Sequence, residues 1–158
     1  MRLRAIRVRA TLRNAILAGC LPALVGATGP AVPSSGADVS FTVTGLRSVK
    51  GQVLACLTTG KRGFPDCTHD PDARHLIMPA AIGMKLDFGP VPPGVYAVSL
   101  LHDENGNGKA DMMLMMPREG FGFSRDAPVR FGPPSFKDAA FSVGAQPVQQ
   151  SIHMRYMF

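Results

Sequence analysis

Residues 39–44 read VSFTVT, setting apolar Val39, Phe41 and Val43 against polar Ser40, Thr42 and Thr44. A period of two places three apolar side chains on one face of an extended chain and three hydroxyls on the other, the signature of a half-buried strand. The same reading extends outward. QVLACLT (residues 52–58) is a second strand, reached through the turn-like RSVKG, and residues 85–88 begin a third that GPVPPG is expected to stop. VYAVSLL (residues 95–101) is the most apolar strand and is expected to be central. Residues 136–143 and 148–156 complete the set. Between residues 59 and 80, Gly60, Gly63, Pro65, Pro71 and Pro79 predict a long loop. No stretch carries a helical stripe of ten residues. Short strands divided by Gly and Pro predict an all-β fold, an antiparallel β-sandwich of about seven strands.

The 158 residues suit one domain with a core, and the formal charge is +6. That charge is concentrated at one end. Arg2, Arg4, Arg7, Arg9 and Arg13 precede every acidic residue, leaving 12 basic against 11 acidic residues from Asp38 onward. A near-neutral body lacks the basic footprint of a nucleic-acid binder, so no nucleic-acid partner is expected.

The basic end reads as a secretory signal: cationic MRLRAIRVRATLRN, apolar AILAGCLPALVGA, then small residues at VGA and SSGA. The apolar run is too short for a membrane span, and Pro22 interrupts it. Residues 1–27 are therefore expected to be cleaved, with a cut as late as residue 37 as the alternative. Residues 28–37 form a flexible linker and 38–158 the single domain. A periplasmic or secreted location follows. LAGC, ending at Cys20, also resembles a lipobox, which would anchor the chain through an acylated cysteine.

In an oxidising compartment Cys56 and Cys67, eleven residues apart, read as a disulfide worth roughly 3 kcal/mol by the chain-entropy relation. With His69 and His75 they also form a candidate zinc set, but the spacing fits no common zinc template.

The central strand runs directly into HDENGNGKAD (residues 102–111). Asp103, Asn105 and Asn107 alternate, Gly108 follows, the Lys109 carbonyl occupies the seventh position and Asp111 the ninth. This is the opening of a calcium loop, in which alternate oxygens converge on one centre. The twelfth position, normally a bidentate glutamate, is Leu114; Glu119 is the candidate replacement. With few carboxylates the expected affinity is weak, about 10⁻⁴ to 10⁻³ M, and the role structural. The competing reading is a turn that needs no ion, because Asn-Gly favours type I′ turns and Asx side chains bond their own backbone. Counting Glu104, three carboxylates would repel one another unless compensated.

Met112, Met113, Met115 and Met116, with His102 nearby, form an alternative thioether site for Cu(I) and a copper-carrier reading. The competing reading is that these methionines fill gaps beneath a loop. No catalytic motif is present, so an enzyme is not expected; a hydrolase-like activity with an unrecognised site is the remaining alternative. His102 is expected to be a structural hydrogen-bonding group, and Phe121 and Phe123 to anchor the loop.

PPGVYAVSLLHDENGNGKAD followed by PREGFGFS closely resembles the bacterial secreted family known as domain of unknown function 2141. The resemblance spans about residues 38–156. It implies an exported sandwich of the transthyretin-like or immunoglobulin-like kind and brings no activity, ligand or catalytic residue. It also suggests that EGFGFS folds back over the acidic loop, with Glu119 reaching the loop and the phenylalanines sealing the sandwich end. The expected product is a monomeric, non-enzymatic envelope module that meets another envelope protein or a small ligand.

Overall fold

The computed structural model describes residues 36–60, 62–113, 116–130 and 132–158. The segment expected to be a signal, residues 1–27, and all but the end of the expected linker lie outside these residues. The chain builds β1 (Ala37–Thr44), β2 (Gln52–Thr58), β3 (Arg74–Pro79), β4 (Lys85–Val91), β5 (Gly94–Asp103), β6 (Met112–Met113), β7 (Met116–Pro117) and β8 (Gly120–Phe123). A 3₁₀ turn (Ser124–Asp126), a one-turn helix α1 (Phe136–Ala139), β9 (Phe141–Val143) and β10 (Val148–His153) follow.

Two main sheets result, ordered β10-β1-β4 and β3-β2-β5-β8, with β9 paired to the start of β5, and β6 and β7 form a separate two-stranded pair. Most pairs are antiparallel, but β1 and β10 run parallel, with Val39 opposite Val148 and Val43 opposite Ile152. The all-β sandwich is as the sequence predicts, with this one parallel pair added.

The alternation in β1 becomes core. Val39, Phe41 and Val43 are fully buried in one cluster with Leu86 and Ile152 of the same sheet and Val53, Leu57 and Val98 of the other. Phe41 meets Phe88 and Phe141 edge-on, with centroids 6.3 and 5.5 Å away, the geometry favoured by the ring quadrupole. As expected, β5 is central, held by β2 on one side and β8 on the other.

Three segments differ from the expectation. The β4 strand passes through GPV because Gly89, at φ 66°, absorbs a register shift against β1. Pro90 is tolerated because β4 is an edge strand. The supposed long loop contains the edge strand β3, whose Leu76 and Met78 pack on the core. Residues 136–143 begin as a helical turn, with extension only from Ala140.

The sheets also join at a corner. Phe121 and Arg155 exchange backbone hydrogen bonds of 3.0 and 2.8 Å, linking β8 to the chain after β10. This close approach explains GFGF: a Cβ on Gly120 would sit 2.3 Å from the Tyr156 ring, and one on Gly122 2.6 Å from Ile152. Phe121 and Phe123 therefore point away, forming a second cluster with Ala97, Ala127 and Phe64 on the outer face of the larger sheet. They do not seal the sandwich end. Cys56 and Cys67 are joined in a disulfide with Cα atoms 6.4 Å apart, pinning the β2–β3 connection. Among the described residues, no helix is long and apolar enough to cross a membrane.

Candidate functional site

The acidic loop leaves the end of β5 beside the starts of β2 and β8. Register puts Gln52 opposite Asp103 and His102 opposite Gly120. Asp103 is fully buried. Its Oδ1 accepts the N–H groups of Gly106 (2.8 Å) and Asn107 (3.1 Å), and its Oδ2 accepts Gly108 N–H (2.7 Å) and Gln52 Nε2 (2.9 Å). Burial pushes this carboxyl up, but the Gln52 amide and the three N–H groups outweigh it and hold it below the usual range. The positive φ angles of Gly106 (73°) and Gly108 (75°) turn those N–H groups inward.

The remaining side chains converge. Asn105 Oδ1 accepts Asn107 N–H and Asn107 Oδ1 accepts Lys109 N–H, the Asx pattern, while both amide nitrogens donate to Asp111 at 2.6 and 3.0 Å. Glu119 folds back, its Oε2 accepting Asp111 N–H at 3.2 Å. Its Oε1 is buried without a partner, the one such side-chain atom among the described residues. Burial pushes Glu119 above its ordinary range against the single Asp111 N–H; the charges of Asp103 and Asp111, and a carboxyl–carboxyl hydrogen bond with Asp103 that favours the protonated form, add to the rise.

Glu104 leaves the group. It points to the β1–β2 loop, where Arg47 Nε (3.1 Å) and Ser48 Oγ (2.7 Å) donate to it. The Arg47 hydrogen bonds hold its pKa at about 2. Glu104 therefore does not add to the repulsion among the loop carboxylates, because a guanidinium 57 residues away neutralises it. Arg47 also stacks 4.4 Å over the Tyr156 ring and donates to the Phe158 carbonyl at 2.6 Å, clamping the C-terminal segment.

His102 is fully buried between two partners. The Lys50 carbonyl, 2.9 Å from Nε2, can only accept, so Nε2 donates; Nδ1 accepts from the Tyr156 hydroxyl at 2.7 Å. This is the expected structural role. Both ring nitrogens are thus engaged within the fold. Met112 is 58% exposed; Met115, and the side chains of Met113 and Met116, lie outside the described residues. No three His, Cys, Asp or Glu side chains among the described residues cluster as a metal group, and the disulfide removes the cysteines from any zinc set. A cation at the loop would thus depend on amide and carbonyl oxygens besides its carboxylates.

Gln52, Arg47, Ser48 and Tyr156 are partners that the loop sequence does not announce. They lie some 50 or more residues away, and only strand register brings them to this end of the sandwich.

The fold and loop together define a class: a two-sheet β-sandwich whose central strand carries an Asx-wound acidic loop anchored on the buried Asp103. A family model of uncharacterized proteins conserved in bacteria, DUF2141, matches residues 41–151. The chain belongs to that family, as its HDENGNGKAD and PREGFGFS segments suggest. Searches of the curated proteins and of the solved structures each found no match.

Proposed function

We propose that this chain is an exported, non-enzymatic β-sandwich module of the bacterial envelope whose acidic loop is closed by a weakly held calcium ion. Asp103, Asn105, Asn107, the Lys109 carbonyl, Asp111 and Glu119 would hold it. The observation that carries this reading is Glu119: a carboxylate 4% exposed, with one oxygen unpartnered, set beside Asp103 and Asp111. An unsatisfied buried acceptor costs roughly 1–3 kcal/mol, more when charged. A bound cation would relieve both that cost and the carboxylate repulsion, and would supply positive charge as a staple. Without it, the Asn105 and Asn107 amides partly fill that role at Asp111.

The cationic and apolar segments ahead of residue 28 support export. Ala37 is buried in β1 opposite Val91, so cleavage after residue 27 would spare that strand and cleavage after residue 37 would remove its first pair. The module would serve by binding or bracing an envelope protein or small ligand from a stiff scaffold.

Metal analysis of protein purified from its native host without chelator tests this. Calcium near one equivalent supports the reading, copper or zinc in its place would refute it, and mass spectrometry of the same sample gives the mature N-terminus.

A further inference from the structure

The outer face of the larger sheet breaks the usual pattern of a solvated sheet face. Ile77, Leu54, Leu101 and Phe121 lie directly opposite one another across β3, β2, β5 and β8, making an apolar row where alternation calls for polar residues. Ile77 is 63% exposed, Leu54 and Leu101 are half-buried, and Phe121 is covered. Three loops rise around the row and turn it into a groove of about 840 Å³, with Pro65, Val129 and Met112 among its lining. That volume suits one drug-sized molecule. Walls standing above the strands disfavour a flat stacking of this face on a second copy.

The polar lining is biased. Lys109 and Arg130 enter from two different loops, are exposed, and make no ion pair or side-chain hydrogen bond with the described residues. Of the other polar lining groups, Asp66 contributes one negative charge while accepting the N–H and hydroxyl of Thr68 at 3.1 Å each, so the two cations outnumber it by one; Ser99 donates to the Pro65 carbonyl, and His75 completes the polar lining. Two unengaged cations beside an apolar floor complement an acid carrying a long hydrocarbon body.

We propose that this groove binds a monomeric long-chain carboxylate, with the chain along Leu54, Leu101 and Phe121 and the head group at Lys109 and Arg130. The groove is formed without any ion, so the proposal does not rest on the calcium reading.

The test is fluorescence titration of the purified protein with dansylaminoundecanoate, in chelator. Saturable binding at one site per chain is expected, with displacement by laurate and none by dodecyltrimethylammonium. Lys109→Ala/Arg130→Ala should weaken binding about tenfold or more, since hydrogen bonds to charged groups contribute that much. Both side chains are exposed, so this variant keeps the fold. Leu54→Asp should abolish binding. Equal affinity for the cationic amphiphile, unchanged affinity in the double variant, the absence of saturable binding, or a dimer that excludes the probe would each overturn the proposal.

Discussion

Glu119→Gln separates an ion-holding loop from one that stands alone. The substitution keeps the shape and the oxygen that accepts Asp111 N–H, and replaces the unpartnered Oε1 with an amide that can donate to Asp103. In chelator the variant should match the wild type or exceed it by about 1 kcal/mol, because a buried orphan acceptor is removed. Calcium at about 10 mM, against a Kd of about 10⁻⁴ to 10⁻³ M, stabilises the wild type by roughly 1.4–2.7 kcal/mol. At about 4 °C per kcal/mol for a domain of this size, Tm should rise by roughly 6–11 °C. The variant, having lost a charged ligand, should gain less than half of that. The assay is thermal melting of both proteins by circular dichroism in calcium, in chelator and in magnesium. An equal calcium increment in both proteins, or none in either, would refute the reasoning. So would a chelator-treated variant several degrees below the wild type, which would mean that the scaffold itself uses the Glu119 charge.

Two further outcomes follow from contacts outside the loop centre. Reducing the Cys56–Cys67 disulfide should lower stability by about 3 kcal/mol on the loop-entropy relation, measured as a fall in Tm with reductant; an unchanged Tm would mean that the β2–β3 connection holds without it. Glu104 has its pKa lowered from 4.5 to about 2, so its unfolded form takes up protons first as pH falls. Its contribution is therefore present above about 4.5 and is lost as pH drops toward 2. Glu104→Gln should flatten the acid limb of the stability curve between those values, and an unaltered limb would show the Arg47 pair to be energetically silent. The pair is partly exposed, so the effect should be modest.

Legibility in the sequence followed locality. β1 and β5 were readable because burial on one face, or on two, writes itself into consecutive residues. Gln52–Thr58 was readable to its ends. β3 was hidden because its strand character depends on β2 lending a partner, and one proline precedes it at 71 while another, Pro79, is its last residue. β4 outran its apparent stop because an edge position and a bulge tolerate Pro90. The helical turn at Phe136–Ala139 is too short to carry a period. At the acidic loop the converging residues could be named from spacing alone. Their charge balance could not, since Arg47 draws Glu104 away and Gln52 braces Asp103 through tertiary contacts. The outer apolar row was likewise invisible, being a product of register across four strands.

The most direct measurement is calorimetric titration of the chelator-stripped protein with calcium, Asp103→Asn and Glu119→Gln serving as controls. One site per chain with a Kd of about 10⁻⁴ to 10⁻³ M, weakened in both controls, is the predicted result. A flat titration of the wild type, or one that the controls reproduce unchanged, would contradict a cation held by this loop.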